Sequence, residues 1–458
     1  MKSIEKEIVK FASNRRNFLK LITAATFTTA TVGTVGCTKK SSAKAKIVVI
    51  GGGAAGISTA SKLLSLLESP DITIIDPSDL HFYQPGFTLI AGGVYSKDDV
   101  YLQQKDCIPS GAKWLKDSVV LIEPTKNKIF TLKNGTISYD FLVLTPGLQI
   151  NWNAVEGISR ETLGTGDAHC LYDYNGAQKT WQGVQKFAQK GGYGIFTDTY
   201  TKHKCGGAPK KICLLTEHLS RKNGTRANLN FDFFTASKQL YNVPHFTPRL
   251  LEIYKERNVP ITTRVKVKGI DTSAKKAYFT KTEVSKDASG KEIKTTTSFT
   301  KDYDFMHFLP PMGAPDFVIK SGLSAQTGER VAEGWVDTDK ETFVHKRFNN
   351  IVVLGDVANI PTSKTSAAIR KQYPIAAQNL VSIMEGKAPE IKYDGYAACP
   401  IITDYGHVLM CEFDYNKKEA VSFPLSMLDM SKESRIAWLL KVYALKPMYF
   451  YGMLNALI

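Results

Sequence analysis

Residues 46–56 read Lys-Ile-Val-Val-Ile-Gly-Gly-Gly-Ala-Ala-Gly, and this stretch decides the fold. Its first five residues are a continuous run of apolar β-formers, and apolar residues at helical spacing follow at 58–67, so the segment predicts strand, glycine-rich turn and helix. Gly51 permits the tight turn, Gly53 lets backbone N–H groups approach a pyrophosphate, and Gly56 lets the helix pack on its strand. The stretch therefore predicts a Rossmann-type dinucleotide-binding unit.

Three further segments extend this unit and favour FAD over NAD. A second predicted strand, 71–75, ends at Asp76, where a carboxylate can bind ribose hydroxyls. Residues 139–147 and the late strand that ends at Asp356 resemble the middle strand and the second FAD fingerprint of flavoproteins with two dinucleotide-type domains. In that superfamily the late aspartate binds the ribityl chain of FAD.

The nucleotide motif expected at the start of a second domain is missing. A predicted strand at 193–197 leads into a loop, 201–210, that lacks GxGxxG and carries Cys205, and a predicted helix follows at 212–219. Nicotinamide reduction is therefore not expected, and a thiol becomes the expected reactive group; a buried apolar cysteine is the alternative. Nearby positive charge lowers a thiol pKa and favours the nucleophilic thiolate. The residues expected to supply that charge are Lys202, His203, Lys204 and Lys210.

Composition sets outer bounds on what the chain can be. Its 458 residues, 43% hydrophobic, can bury the cores of two or three domains, which excludes a peptide hormone, a disulfide-stapled miniprotein or a disordered tail. The net charge of +16 suggests an anionic partner: a lipid surface, small acidic substrates or nucleic acid. Basic patches interleaved with aromatics are absent from the sequence, so nucleic-acid binding is not expected. Seven scattered cysteines without a CxxC pair favour neither a metal site nor a dense disulfide framework.

The N-terminal residues 1–37 read as an export signal. Arg15-Arg16 precede an uncharged run, 21–36, that is shorter than the roughly 20 residues of a membrane span. The paired arginines resemble a bacterial twin-arginine signal, a route for proteins already folded around a cofactor, and a Sec signal or anchor is the alternative. Residues 34–37 resemble a lipoprotein box, which leaves lipidation of Cys37 or its loss by cleavage open. Residues 38–45 would then form a tether between this N-terminal segment and the folded protein, which would be membrane-associated on the periplasmic side.

Several longer motifs are similar to those of the sulfide:quinone oxidoreductases, in particular the branch that includes the mitochondrial enzyme. The resemblance runs from about residue 46 to the C-terminus. The matching segments are 81–85 (HFYQP), 204–209 (KCGGAP), 309–312, 334–337, 355–365, 393–396, 399–400 and 412–415. It implies an α/β fold of two Rossmann-like domains of the FAD/NAD(P)-binding flavoprotein type, with FAD as cofactor. Gly206 and Lys210 depart mildly from the family pattern, which often has Ala and Gln there.

The same resemblance implies a redox centre made of Cys205 and Cys399, which lie 194 positions apart. Sulfide would open a disulfide or sulfur-bridged form of this pair and leave one persulfide and one thiolate. Electrons would pass through the flavin to quinone, and sulfite, a thiol or more sulfide would accept the sulfur. Which cysteine carries the persulfide stays open at this point.

Cofactor contacts carry over by motif, and so does a division into domains. The residues expected to contact FAD are Gly51, Gly53, Ala54, Ala55, Gly56, Asp76, Gln84, Val119, Asp356, Lys364, Thr365, Ser366 and Ala367. No metal site is expected. The expected division is an FAD-binding domain at 46–155 and 336–390, a second Rossmann-like domain at 156–335 that carries the Cys205 loop, and a C-terminal region at 391–458 that carries Cys399.

The last 25 residues, 434–458, are predicted to form an amphipathic, membrane-associating helical segment. They are too short to span a bilayer as two helices, and their aromatic residues suit the headgroup boundary. Those residues are Trp438, Tyr443, Tyr449 and Tyr451. Such a segment would let quinone reach the flavin from the membrane. The alternative is packing on the enzyme's own core or on a second subunit of a homo-oligomer.

Two other functions stay open beside sulfide:quinone oxidoreduction. One is the flavoprotein subunit of a flavocytochrome c sulfide dehydrogenase, which passes electrons to a c-type cytochrome; the 204–209 loop and the apolar C-terminus argue against it. The other is a non-catalytic flavin-binding or sulfur-carrier protein, against which the intact cysteine pair argues. Cys213 and Cys411 are expected to be core residues.

Overall fold

The computed structural model describes residues 40–421 and 429–458. The twin-arginine segment and Cys37 lie outside the described residues. Within them, a parallel sheet of five strands contains the predicted strand 46–50. In spatial order its strands are β20 (Ile351–Val353), β9 (Phe141–Leu144), β1 (Lys46–Ile50), β2 (Asp71–Ile75) and β5 (Ala112–Leu115). We refer to it as the first sheet.

A second parallel sheet of five strands lies downstream in the described chain. Its strands, in spatial order, are β11 (Ala168–His169), β18 (Phe305–His307), β12 (Gly192–Thr197), β13 (Leu229–Thr235) and β14 (Ile261–Thr263). The central strands of both sheets are largely buried, as continuous apolar strands such as Lys46–Ile50 require, whereas the edge strands β5 and β14 are only partly buried. This repeated α/β layering confirms the Rossmann-like fold class predicted from the sequence.

The remaining described strands form small antiparallel sheets. These are β3 (Leu80–Phe82) with β4 (Tyr101–Gln103); β6 (Val119–Glu123), β7 (Lys128–Thr131) and β8 (Gly135–Ser138); β10 (Gln149–Ile150) with β19 (Met312–Gly313); β15 (Val265–Asp271), β16 (Lys276–Lys286) and β17 (Glu292–Asp302); and β21 (Ala397–Asp404) with β22 (His407–Phe413). The pair β16–β17 is a hairpin that lies between β14 and β18 along the chain; it is buried near its base at Ala277 and Phe279 and exposed towards its tip.

The α-helices of the described residues are α1 (Ala54–Leu66), α2 (Phe87–Ala91), α3 (Gln104–Cys107), α4 (Tyr174–Lys190), α5 (Ala208–Lys222), α6 (Thr247–Glu256), α7 (Asp316–Lys320), α8 (Ser366–Met384), α9 (Arg435–Leu439) and α10 (Leu445–Pro447). Helix α1 follows the glycine turn, α5 follows Cys205, and α8 packs beside α1. Three sequence segments that are far apart therefore place their helix N-termini around one space.

The first sheet is completed by a strand from late in the chain. β9 and β20 pair in parallel, with Leu142 opposite Ile351 and Leu144 opposite Val353. The second sheet and two of the small sheets, β10–β19 and β15–β16–β17, are inserted between these two strands. The chain thus leaves the first sheet after β9 and returns to it at β20.

The C-terminal segment is helical from Arg435 to Met453, with π-helical turns at Leu440–Ala444 and Met448–Met453. It packs on the first sheet's layer: Ser61 Oγ donates to the carbonyl of Leu454 at 2.6 Å, and Tyr373 Oη donates to that of Ile458 at 2.5 Å. Trp438 and Tyr449 are buried against the protein. Their predicted place at a membrane headgroup boundary is wrong, because packing within the chain already covers both rings. No helix in the described ranges is long and apolar enough to cross a membrane.

Candidate active site

A cavity of about 640 Å³ lies at the carboxyl ends of the first sheet's strands, under the C-terminal segment. The carboxyl ends of parallel strands are where open α/β folds bind their ligands. The cavity runs from the glycine turn after β1 to the loop that carries Cys205. The predicted residues that line it are Gly51, Gly53, Ala54, Ala55, Asp76, Gln84, Cys205, Asp356, Lys364, Thr365, Ser366 and Ala367.

The glycine turn has the shape that a pyrophosphate requires. Gly51 has a φ of +98°, and an added Cβ would lie 2.3 Å from the carbonyl oxygen of Thr145. At Gly56 an added Cβ would lie 1.9 Å from the carbonyl oxygen of Gly51, so Gly56 packs the helix start against the turn and does not itself line the cavity. A Cβ on Gly53 would meet nothing within 4 Å. Space for a diphosphate is therefore open at the N-terminus of α1.

Asp76 closes one end of this turn. Its carboxylate accepts hydrogen bonds from the backbone N–H of Gly52 at 2.7 Å and of Ser78 at 2.8 Å. Burial raises the pKa of Asp76, while these two bonds act in the opposite direction. The carboxylate is thus fixed at the cavity wall, where a ribose would lie.

The opposite wall is the start of α8. Thr365 caps this helix, its Oγ1 accepting from the backbone N–H of Ala368 at 3.2 Å, and the helix has 19 residues. Its free N–H groups and positive dipole end face the cavity. Lys364 precedes the cap, and its ammonium group donates to the carbonyls of Asp356 and Ala358 and lies 3.8 Å from the centre of the Trp335 ring. Burial lowers the pKa of Lys364 to about 7.

Of two other residues predicted to contact the cofactor, Gln84 lies at the cavity and Val119 does not. Gln84 lies at the cavity, and its Oε1 accepts a hydrogen bond from Lys204 Nζ at 2.7 Å. Val119 is the first residue of β6 and is not among the residues that line the cavity. The structure therefore does not bring Val119 to the site, although Trp114, five residues earlier, donates its indole N–H to the carbonyl of Asp76 at 3.0 Å.

The two predicted redox cysteines meet at the far end of the cavity. Cys205 Sγ and Cys399 Sγ are 3.5 Å apart. Cys205 has a φ of +50°, a conformation held by its N–H donating to the carbonyl of Lys364 and by Tyr172 Oη donating to its own carbonyl, both at 3.0 Å. Cys205 lines the cavity, whereas Cys399 in β21 lies behind it. Small rearrangement would bring the sulfurs to bonding distance.

Positive charge reaches the pair from residues that the sequence analysis did not name. Lys211 Nζ lies 3.3 Å from Cys205 Sγ, and both Lys211 and Lys441 are buried. The hydrogen bond from the Cys399 thiol, followed by the charges of Lys211 and Lys441, holds the pKa of Cys205 well below its usual range. The hydrogen bond that the Cys399 thiol donates to Cys205, together with burial, raises the pKa of Cys399. The pair therefore holds a thiolate at Cys205 and a proton at Cys399.

The expected charge partners of Cys205 are occupied elsewhere. Lys210 Nζ pairs with Asp198 at 3.0 Å, Lys202 donates to the carbonyl of Ile360, and Lys204 donates to Gln84. Burial lowers the pKa of His203, which keeps this ring neutral. The prediction that these four residues supply the charge at Cys205 is corrected: α5 begins at Ala208, so that Lys211 and not Lys210 faces the thiol.

Lys211 and Lys441 were missed for different reasons. Lys211 is six residues from Cys205, and starting the predicted helix at 208 instead of 212 would have placed it in the first turn of the helix, next to the loop that carries the thiol. Lys441 comes from the C-terminal segment, where its ammonium donates to the carbonyl of Pro85 at 3.3 Å. No local signal links Lys441 to a loop more than 200 residues earlier.

Comparisons with known proteins agree with this geometry. Residues 45–190 match the family model described as pyridine nucleotide-disulphide oxidoreductase. The chain is 38% identical to a mitochondrial sulfide:quinone oxidoreductase of Dictyostelium discoideum, with 90% of this chain and 86% of the relative covered. It is 34% identical to the mitochondrial enzyme of that name from Mus musculus, with the same coverages.

A solved structure supports the fold. The chain resembles the sulfide:quinone oxidoreductase of Aquifex aeolicus with a TM-score of 0.70, at 20% identity, over 90% of this chain and 92% of that one. The cofactor of such proteins is FAD, and the open diphosphate space, the fixed carboxylate at Asp76 and the helix N-terminus at Ser366 fit it.

The predicted location of the protein is corrected by the same comparisons. The relatives from Dictyostelium discoideum and Mus musculus are mitochondrial enzymes. They point to a mitochondrial setting, so the prediction of a bacterial twin-arginine signal, a periplasmic location and a lipoprotein is wrong. Paired arginines before a weakly apolar run are a short and common pattern, and they do not identify one export route by themselves.

Two relatives, at 38% and 34% identity, each match 90% of this chain. This chain belongs to the sulfide:quinone oxidoreductase family.

Proposed function

We propose that the chain oxidises sulfide with Cys205 and Cys399 as its redox pair and passes two electrons through FAD to quinone. The observation that carries this proposal is the 3.5 Å separation of Cys205 Sγ, which lines the FAD cavity, from Cys399 Sγ behind it. A flavocytochrome subunit, the alternative from the sequence, is not favoured by relatives that are named for quinone reduction.

The two cysteines have distinct roles in this proposal. Hydrosulfide attacks Cys399 Sγ of the disulfide, so that the Cys205–Cys399 bond breaks, a sulfur–sulfur bond forms on Cys399, and the electron pair of the broken bond leaves with Cys205 as its thiolate. Lys211 supports this direction because its ammonium group stabilises the thiolate on Cys205. Cys399, lying behind the cavity wall, then carries the persulfide.

Bound FAD supplies the two-electron chemistry that connects thiol oxidation with quinone reduction. The chain's residues position it: the glycine turn holds the diphosphate, Asp76 the ribose, and Asp356 and the start of α8 the opposite end. The N-terminus of α8 provides positive potential on that side of the cavity.

The quinone would enter beneath the C-terminal segment. Its side chains give the cavity an apolar wall. The apolar residues that line the cavity from this segment are Ile436, Leu440, Leu445, Met448, Met453 and Ile458. Ile436 and Leu457 are more than half exposed, which supports the proposal that the outer face of the segment rests on a membrane surface.

Three further expectations remain proposals. The sulfur acceptor is sulfite, a thiol or a second sulfide, and the charges of Lys211 and Lys441 would attract an anionic acceptor. The domain division is the one predicted from the sequence, with an FAD-binding domain in two parts. A homo-oligomer remains an open arrangement for the chain.

The test is an anaerobic titration of the FAD-loaded protein. Sulfide should bleach the visible flavin band, and a short-chain quinone should restore it. Cys205→Ser and Cys399→Ser should bind FAD but show no bleaching, whereas Cys107→Ser, outside the pair, should behave as the wild type. Bleaching of Cys399→Ser at the wild-type rate would overturn the proposal.

A further inference from the structure

A third thiol lies next to the redox pair. Strands β21 and β22 pair in antiparallel fashion, with Cys399 directly opposite Cys411. Directly opposite residues project from the same face of a sheet, and their Cβ atoms lie about 4.5–5.5 Å apart. Cys411 is fully buried. Its side chain therefore lies beside that of Cys399 in the buried space on that face of the strand pair.

This space is on the far side of the β21–β22 pair from the FAD cavity. Ala398, Pro400 and Met410 line the cavity, whereas their neighbours Cys399 and Cys411 face the other way, by strand alternation. On that other side an added Cβ on Gly207 would come within 2.6 Å of Cys399 Sγ. The Cys399 side chain thus has two cysteine neighbours: Cys205, whose sulfur is 3.5 Å away, and Cys411, which lies opposite it on β22.

A buried hydroxyl without a partner also belongs to this space. Tyr241 is 8% exposed, and its Oη has no hydrogen-bond partner among the described residues. Burial raises the pKa of Tyr241 well above its usual range, and the thiols of Cys399 and Cys411 act in the same direction. The hydroxyl thus interacts with both thiols, and a tyrosine hydroxyl can accept a proton from one group while it donates its own to another.

We propose that Cys411 accepts the sulfane sulfur from Cys399 and holds it, so that one chain stores a second sulfur before an external acceptor arrives. The inference rests on the proposed persulfide at Cys399. Tyr241 is a positioning residue for the accompanying proton. The ligand of this site is thus a single sulfane sulfur atom.

The transfer balances without an added oxidant. The Cys411 sulfur attacks the outer sulfur of the Cys399 persulfide, the bond between that sulfur and Cys399 Sγ breaks, and a new sulfur–sulfur bond forms on Cys411. The proton of the Cys411 thiol passes through Tyr241 Oη to the Cys399 thiolate. One persulfide replaces another, so the step is reversible. Cys399 is then free to re-form the disulfide with Cys205, its two electrons leaving to quinone by the proposed reaction.

A purely packing role for Cys411 makes a different prediction. Buried free cysteines often act as small apolar side chains, and Cys213 in α5 is an example within this chain. A packing residue would stay a plain thiol through turnover. The chemical state of the Cys411 sulfur after turnover, and not the stability of the protein, therefore distinguishes the storage role from the packing role.

The experiment maps sulfur on each cysteine of the FAD-loaded protein. Anaerobic enzyme receives one or two equivalents of sulfide with excess short-chain quinone and no sulfur acceptor, and is then quenched with an alkylating reagent that traps thiols and persulfides. A protease that cleaves before aspartate separates Cys399 from Cys411 at Asp404, and mass spectrometry reads each peptide. Cyanide-labile sulfur is counted in parallel. Cys213 serves as the internal control.

In the wild type we expect persulfide on Cys411 after the second equivalent, and cyanide-labile sulfur that rises from about one to about two per chain. Cys411→Ala should stop at about one, and Tyr241→Phe should slow labelling of Cys411 about tenfold without changing its fold. If Cys411→Ala does not fold, the distribution of persulfide among the cysteines of the wild-type protein is sufficient to test the proposal.

Three outcomes overturn the inference. Persulfide on Cys399 with Cys411 always a plain thiol overturns storage but leaves the proposed function intact. Persulfide on Cys411 of a Cys399→Ser variant treated with polysulfide shows delivery that does not pass through Cys399. Absence of persulfide from both peptides, despite flavin reduction, overturns the proposed persulfide at Cys399 and the inference with it.

Discussion

A Cβ added to Gly207 would lie 2.6 Å from Cys399 Sγ, which makes this glycine the spacer that lets the two redox sulfurs meet. Gly207 has a φ of −84°, so alanine there meets no backbone strain. The contacts that oppose alanine are with the sulfur and, less severely, with Ile401 Cγ1 at 3.1 Å. At Gly206 an added Cβ would meet only the ring of His203, at 3.7 Å. The alanine that relatives often carry at the first of these two glycines is therefore compatible with this loop.

Gly207→Ala is expected to push Cys399 away from Cys205 and to slow flavin reduction by sulfide at least about tenfold, because thiol–disulfide chemistry depends on access and alignment. Stopped-flow bleaching of the flavin band measures the rate. Gly206→Ala is the matched control and should keep the wild-type rate. Equal rates for both variants would contradict the spacer role of Gly207.

Lys211→Met is expected to raise the pKa of Cys205, because it removes the ammonium group 3.3 Å from the sulfur. The thiolate fraction at neutral pH, and with it the alkylation rate of Cys205 in the reduced protein, should fall about tenfold and recover as the pH is raised. Lys211→Arg keeps the charge and should stay close to the wild type. A pH profile that is identical in Lys211→Met and the wild type would show that the charge is not needed.

Lys210→Met is expected to destabilise the protein and leave the pKa of Cys205 unchanged. Lys210 and Asp198 form an ion pair in which both side chains are buried, and Asp198 also accepts from Thr235 at 2.7 Å. Removing one partner leaves an uncompensated buried charge, at a cost of about 3–5 kcal/mol. Denaturant unfolding measures this loss. Lys210→Gln keeps a donor for Asp198 and should lose much less; equal losses would refute the pairing argument.

Lys441 is expected to make stability depend on pH. Burial, followed by repulsion from Lys211, lowers the pKa of Lys441 to about 7 from its ordinary value of 10.5. Between these values the unfolded chain binds a proton that the folded chain does not, so the unfolding free energy rises with pH, by up to about 1.4 kcal/mol per pH unit. Below pH 7 both forms are protonated, and the folded protein carries the whole cost of the buried charge.

Lys441→Met should therefore flatten the pH dependence above pH 7 and stabilise the protein below it. Guanidinium unfolding at a series of pH values tests this. Lys446→Met is the matched control from the same segment, because Lys446 is partly exposed and pairs with Asp99 at 3.4 Å. Parallel curves for wild type and Lys441→Met would contradict the prediction.

Local patterns account for the parts of the structure that were predicted correctly. The run 46–50 is observed as strand β1 with the same bounds, and Asp76 follows β2 at the cavity. Both depend on short-range periodicity and turn chemistry. Cys399 could be placed beside Cys205 only through the family resemblance, since no spacing rule links residues 194 positions apart.

The parts that were missed depend on contacts between distant segments. Lys441 reaches the thiols because the C-terminal segment folds back over the cavity, and Tyr449 is buried because its hydroxyl bonds His81 Nε2 at 2.8 Å. Amphipathicity indicates an apolar face but not which surface covers it. Cys411 was correctly expected in the core, yet its place opposite Cys399 follows from strand register.

The pairing of β9 with β20 has a consequence for how the chain folds. Loop closure between strands separated by about 200 residues must occur before the first sheet has its outer strand, and such long-range pairing is slow. Until then β9 presents an unpaired edge, which is prone to association with other chains. The segment 45–190 matched by the family model ends long before β20. Expressed alone, it would lack a strand of its own sheet and should aggregate instead of forming an autonomous unit.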